Sequence, residues 1–320
     1  MNDYLISVLL GVVEGLTEFL PVSSTAHLRI AEQLLGLNLK DPYWKTYSVV
    51  IQLGAILAVV AYFWRRLLGF VRTFPNGPAD APAVPAPPPR RRRKEPDPAD
   101  GPLPLEYRGP NLRVRSNVWS HPVTLVMVAF VVTAGPAYLL DKVIGDNLEK
   151  LYVIGGALIV GGVVMALVDT LFARPTVTEV ERMGFLRALW IGLAQILSAV
   201  FPGTSRSMVT IAAGQVTGMS RTAALEFSFF VSIPVMIAAT GFKLFQAVRG
   251  KGFKDGEQLV MNGQRWGVMV VGLVVSFLVA WVVIAWFMAW VRKRGFAPFA
   301  VYRIVLGAAV LWLAYRANHP

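Results

Sequence analysis

The chain has 320 residues, 55% of them hydrophobic and 16% charged, where a soluble domain carries roughly a quarter charged residues. That balance argues against an ordinary soluble domain and makes a multi-pass, all-α membrane protein the expected class. The complete lack of cysteine excludes disulfides, thiolate metal sites and a cysteine nucleophile, while the net charge of +12 has to be judged by where it sits.

The N-terminus, Met1 to Tyr4, has no basic region, so the first apolar run (4–36) is expected to stay in the mature protein. Pro21 interrupts that run inside "EGLTEFLPVSSTAH", Glu14 to His27. A span at about 45–64 follows. Residues 65–119 then hold eleven Lys or Arg against five acids, half of the net charge, and include "VPAPPPRRRRKEPDPADGP". Proline density and the lack of apolar periodicity make 75–117 a flexible cytoplasmic loop. A basic patch for anionic lipid or nucleic acid at Arg90 to Lys94 is the weaker reading, and no nucleic-acid partner is expected.

Spans at about 120–140 and 150–173 come next. His121, just before Pro122, is expected to be uninvolved in function, and Gly155, Gly156, Gly161 and Gly162 to serve close helix packing. A second interrupted run (185–218) breaks at Pro202, and spans at about 223–245, 266–291 and 298–316 complete the chain. His319, near the end, is expected to play no part. Placing 65–119 inside by the positive-inside rule also puts 174–184 and "VRKRGF" inside and both termini outside, against the pull of four cations in 246–265.

The interrupted runs match each other at an offset of 181: "GVVEGLTEFLPVSST" from Gly11 lies over "GLAQILSAVFPGTSR" from Gly192. Gly11/Gly192, Leu16/Leu197, Pro21/Pro202 and Ser24/Ser205 are identical, and Glu14/Gln195 is conservative. Three full spans follow each run, and an odd number makes the second repeat enter from the opposite face. The expected fold is therefore one membrane domain of six transmembrane helices plus two re-entrant broken-helix segments. It forms two inverted-topology repeats, 1–173 and 184–316.

Each proline should end one half-helix, and the hydroxyls after it should cap a second. Two helix N-termini facing one cavity suit an anion, phosphate above all. Arg206 would add a guanidinium fork, with Ser23, Thr25, Thr204, Ser205 and Ser207 as caps or substrate ligands. Glu14 and Glu18 share a helix face, and charged groups at this depth are too costly to be idle. They suit a base, holders of a divalent cation such as Mg2+, or partners for Arg206 and His27. Ser24, one turn before His27, is the candidate nucleophile, with the imidazole as acid or base, and direct attack by water without a phosphoseryl intermediate is the competing reading that the sequence does not separate from it. The rival reading is an inverted-repeat transporter or flippase for a phosphorylated lipid or anion.

Together with "VVIQLGAILAVVAYFWRRL", "SRTAALEFSFFVSIPVM" and "PFAVYR", these motifs resemble the bacterial undecaprenyl-diphosphate phosphatase family associated with bacitracin resistance. The resemblance implies a plasma-membrane phosphatase that converts undecaprenyl diphosphate to the lipid carrier recycled for peptidoglycan and other envelope polysaccharides. A polyprenyl diphosphate would be its substrate and membrane lipid its surroundings, with a homodimer as one conceivable assembly. By position, the family's functional residues fall on Glu14, Glu18, Ser24, His27 and Arg206. Ala26 and Met208 stand where the family pattern has glycine.

Overall fold

The computed structural model describes residues 2–38, 41–75, 118–140, 144, 150–250 and 259–318. Almost all of the Pro/Arg-rich loop, together with His319, lies outside the described residues. Among those described there is no strand, and the residues form helices α1 (Asp3–Thr17), α2 (Ser24–Leu34), α3 (Pro42–Val50), α4 (Gln52–Tyr62), α5 (Trp64–Thr73), α6 (Pro122–Leu139), α7 (Leu151–Leu171), α8 (Phe185–Val200), α9 (Arg206–Val216), α10 (Arg221–Val248), α11 (Gly263–Lys293) and α12 (Ala297–Asn318). Six helical stretches are long and apolar enough to cross a membrane: Pro42–Tyr62, Pro122–Leu139, Leu151–Leu171, Arg221–Val248, Gly263–Lys293 and Ala297–Arg316. They match the six expected spans to within a few residues. α3 and α4 act as one span, because Ile51 between them keeps helical dihedrals.

α1 and α8 are too short to be spans: 15 and 16 residues reach only about 22–24 Å at 1.5 Å per residue. Each stops shortly before its proline, and α2 and α9 start just after. α1 packs on α11 and α4, α8 packs on α6 and α9, and α7 pairs with α12. One apolar core joins both halves through Phe19, Phe63, Met208, Phe227, Phe229 and Phe287.

Glycine permits the closest of these approaches. A β-carbon at Gly192 would lie 2.8 Å from the Ala129 carbonyl oxygen, and one at Gly11 would lie 2.8 Å from that of Gly272. Thr133 closes the first seam by donating to the Gly192 carbonyl at 2.8 Å. In α7, Gly155 and Gly162 face Gly307 and Ala300 of α12 as expected, but Gly156 meets nothing within 4 Å. His121 caps α6, its Nδ1 accepting from the Val123 amide. At one end of the bundle, Asp169 receives Arg221 Nε at 2.5 Å and the Phe296 amide at 2.9 Å, tying α7, α10 and α12 together.

Gly192→Val should cost roughly 1–3 kcal/mol by overpacking, read as a lower unfolding midpoint in detergent. Gly156→Ala, facing open space, should leave the midpoint unchanged or raise it.

Candidate active site

A helix that stops at depth leaves its last carbonyls and the next helix's first amides without partners. Both breaks solve this alike. Ser23 is the N-cap of α2 and Ser205 that of α9, and each hydroxyl accepts from the amide three residues on, Ala26 at 3.4 Å and Met208 at 3.3 Å. Both caps hold a left-handed backbone, φ 73° and 70°, the only non-glycine residues among those described to do so. The caps correct the sequence match: Ser23, not Ser24, is the counterpart of Ser205, because the second loop has one more residue between proline and cap. Ser24 and Arg206 therefore both occupy the first position of their helices. Ala26 and Met208 fall at one shared position, the amide that donates to the cap.

The two loops touch. Ser207 Oγ donates to the Leu20 carbonyl at 2.9 Å and lies 3.0 Å from Ser205 Oγ. Behind them, Arg303 of α12, fully buried, sends Nη1 to the Pro21 carbonyl at 3.0 Å and Nη2 to those of Gly203 at 3.1 Å, Thr204 at 2.9 Å and Ala157 at 3.2 Å.

In front of them, one carboxylate joins the candidate residues. Glu18 Oε2 accepts from Ser24 Oγ at 2.5 Å, and Oε1 accepts from Arg206 Nη2 at 3.1 Å. Arg206 also sits 6.0 Å above the Phe19 ring. Serine, acid and arginine thus form one chain, with the hydroxyl held against a proton acceptor.

His27 stands apart from it. Its Nδ1 lies 2.7 Å from the Ser23 carbonyl and its Nε2 2.6 Å from the Tyr302 hydroxyl, with the two rings stacked. A carbonyl only accepts, so Nδ1 carries the proton, and in the neutral ring Nε2 accepts from Tyr302. The expected contact between His27 and Ser24 is replaced by one between Glu18 and Ser24, because the α2 turn aims the imidazole back at its own cap. Glu14 is fully buried one turn before Glu18, and neither of its oxygens has a hydrogen-bond partner. The same is true of both polar atoms of Gln195, its counterpart.

Glu18, Ser23, Ser24, Thr25, Gly203, Ser205 and Arg206 line a cavity of about 1030 Å³ together with apolar residues such as Phe130, Ala134, Val235 and Phe242 and with Gln195, Lys243 and Gln246. Glu14, His27, Thr204 and Ser207 support this surface from behind and are not part of the lining.

Residues 7–309 match the family described as "Bacitracin resistance protein BacA". The chain belongs to this family. Among curated relatives of this BacA-family chain, the undecaprenyl-diphosphatase of Koribacter versatilis (strain Ellin345) is 49% identical over 319 residues, covering 99% of this chain and 100% of the relative. That of Sorangium cellulosum (strain So ce56) is 41% identical, covering 96% and 85%, and that of Rhizobium etli (strain CIAT 652) is 37% identical, covering 98% and 97%. The protein is thus a multi-pass membrane member of the BacA family.

Reading the sequence residue by residue missed Tyr302 and Arg303. A signal was there, since an arginine in the middle of an apolar span is costly enough to demand a role, but nothing in its neighbours points to loops 282 and 100 residues away. If Tyr302 acts by holding His27, Tyr302→Phe should lower turnover by roughly 2- to 10-fold, the size expected of one hydrogen bond. A double-mutant cycle should then show His27→Ala/Tyr302→Phe to be no slower than His27→Ala alone.

Proposed function

We propose that this protein hydrolyses undecaprenyl diphosphate to undecaprenyl phosphate and inorganic phosphate, returning the lipid carrier to peptidoglycan and envelope polysaccharide synthesis. The observation that carries this reading is the Ser24–Glu18–Arg206 chain on the lining of a cavity that also has apolar walls, set within a chain whose relatives are undecaprenyl-diphosphatases.

In the proposed reaction the terminal phosphate lies against Arg206 and the amides that open α2 and α9, where a guanidinium and two helix N-termini oppose its charge. Ser24 Oγ attacks the terminal phosphorus while Glu18 takes its proton, and the bridging P–O bond breaks to release undecaprenyl phosphate. Glu18 passes that proton to the departing undecaprenyl phosphate. The carboxylate so regenerated takes a proton from water, which cleaves the phosphoseryl bond to free phosphate, and Glu18 returns the proton to Ser24 Oγ. Ser23, Thr25, Thr204, Ser205 and Ser207 shape the cradle, and His27 holds its first loop through the Ser23 carbonyl. The hydroxyl-to-carboxylate contact favours serine attack over direct attack by water. It also favours chemistry over carriage, because a transporter has no use for an activated hydroxyl.

A divalent cation fits the carboxylates. Glu14 offers two hard oxygen donors with no hydrogen-bond partner, and such a cation, once bound, would neutralise phosphate charge. The described residues contain no cluster of three His, Asp or Glu, so Glu14 and Glu18 would hold it together with phosphate oxygens and water, as suits Mg2+.

We also read the two breaks as re-entrant segments of two inverted repeats. Gly11 and Gly192 at matched helix seams, buried Glu14 and Gln195, and the left-handed caps Ser23 and Ser205 support this. The positive-inside rule supports a cytoplasmic 65–119 segment with both termini outside, in a bacterial plasma membrane.

Purified wild type should release phosphate from a prenyl diphosphate in detergent. Ser24→Ala and Glu18→Gln should each lower kcat by about 10²- to 10⁴-fold, and Arg206→Ala should lower kcat/KM. Quenched wild-type enzyme should carry phosphate on Ser24; full activity of Ser24→Ala would refute the nucleophile. After chelation, Mg2+ should restore turnover to wild type but not to Glu14→Gln.

A further inference from the structure

We infer that Arg303 is the positioning residue of this site, a buried clasp that sets the distance between the loop carrying Ser24 and the loop carrying Arg206. It touches both loops at once: Pro21 of the first through Nη1, and Gly203 and Thr204 of the second through Nη2. The clasped carbonyls are three residues before Ser24 and two and three before Arg206, so a shift of the guanidinium moves the nucleophile relative to the phosphate clamp.

The chemistry of the clasp is particular to arginine. Broken helices leave carbonyls in need of donors, and the flat five-donor fork can serve carbonyls arriving from different directions, where an ammonium is a compact point charge. Arg303 is fully buried and forms no ion pair among the described residues. Main-chain oxygens are its hydrogen-bond acceptors. It is not part of the cavity lining, so it does not reach substrate from where it stands.

The surrounding sequence makes room for it. Gly161 of α7 faces the fork, and a β-carbon there would run into Arg303 Nη2, with Met208 Cε at 2.7 Å on the other side. The other bond linking the loop segments through charge, Glu18 to Arg206, engages the guanidinium that an incoming diphosphate would claim. Ser207 and Arg303 then remain to hold the loops in register while substrate is bound.

The inference rests on the proposed phosphatase activity for its kinetic test but not for its structural one. Arg303→Lys and Arg303→Met should each lower kcat by about 10²-fold, the cost of misplacing reacting groups by about 1 Å, while KM stays within about threefold. Because the chain has no cysteine, Val22→Cys places a single thiol at a buried loop position. Its labelling by a maleimide should be slow in an otherwise wild-type background and at least about tenfold faster with Arg303→Lys or Arg303→Met, since thiol reactivity follows access. Gly161→Ala keeps the arginine but crowds its fork, so it should show the same pairing of lower kcat and faster labelling even if the Arg303 variants do not fold. Faster labelling in a protein whose wild type releases no phosphate would uphold the clasp and refute the phosphatase reading alone. Unchanged labelling and unchanged kcat in the folded variants would overturn the inference. So would a rise in KM alone with labelling unchanged, which would make Arg303 a substrate contact.

Discussion

A main-chain carbonyl freed by a broken helix cannot turn to water inside an apolar bundle, and the need to give it a donor shapes this protein more than any other constraint. Two breaks mean two sets of freed groups. Serine caps satisfy amides at the start of α2 and α9, Ser207 serves Leu20, and Arg303 serves Pro21, Gly203 and Thr204. Much of the tertiary arrangement follows from bringing those donors to those acceptors. α12 must lie behind both loops, α7 must present a glycine where the guanidinium passes, and α1 and α8 must each press a glycine against a neighbouring helix.

The loops that result do more than satisfy the backbone. With the freed carbonyls bound by Arg303 and Ser207, the residues that open the second half-helices, Ser24 and Arg206, lie on the cavity lining. The same geometry that solves a hydrogen-bonding problem leaves partial positive charge there, which is what a diphosphate needs. Within hydrogen-bonding distance of both Ser24 and Arg206, Glu18 can hold the hydroxyl as its acceptor and the arginine as its counter-ion until substrate displaces that pairing.

Much of this was legible in the sequence. Span length and apolarity gave the six crossing helices, since a hydrocarbon core demands about 20 apolar residues whatever their order. Proline among hydroxyls located both breaks, because proline cannot continue a helix and serine can cap one. Glu14, Glu18, Ser24 and Arg206 stood out because charge and hydroxyl density at such depth is costly. Local pattern failed where the outcome depended on one residue of spacing. Aligning the prolines paired Ser24 with Ser205, whereas the extra residue in the second loop makes Ser23 the true counterpart.

By itself, then, the sequence determined where helices run, where they break and which residues are too polar to be idle, since those depend on local periodicity and on the cost of burying charge. Only the tertiary structure decided which of those residues meet. Helical spacing put Ser24 and His27 one turn apart, and folding turned the imidazole to Ser23 and Tyr302 and the hydroxyl to Glu18, across the Pro21 break. Arg303, the last residue of the "PFAVYR" motif, gained its role only when both loops closed on it, because contacts between residues 99 to 282 positions apart leave no trace in the neighbours of either.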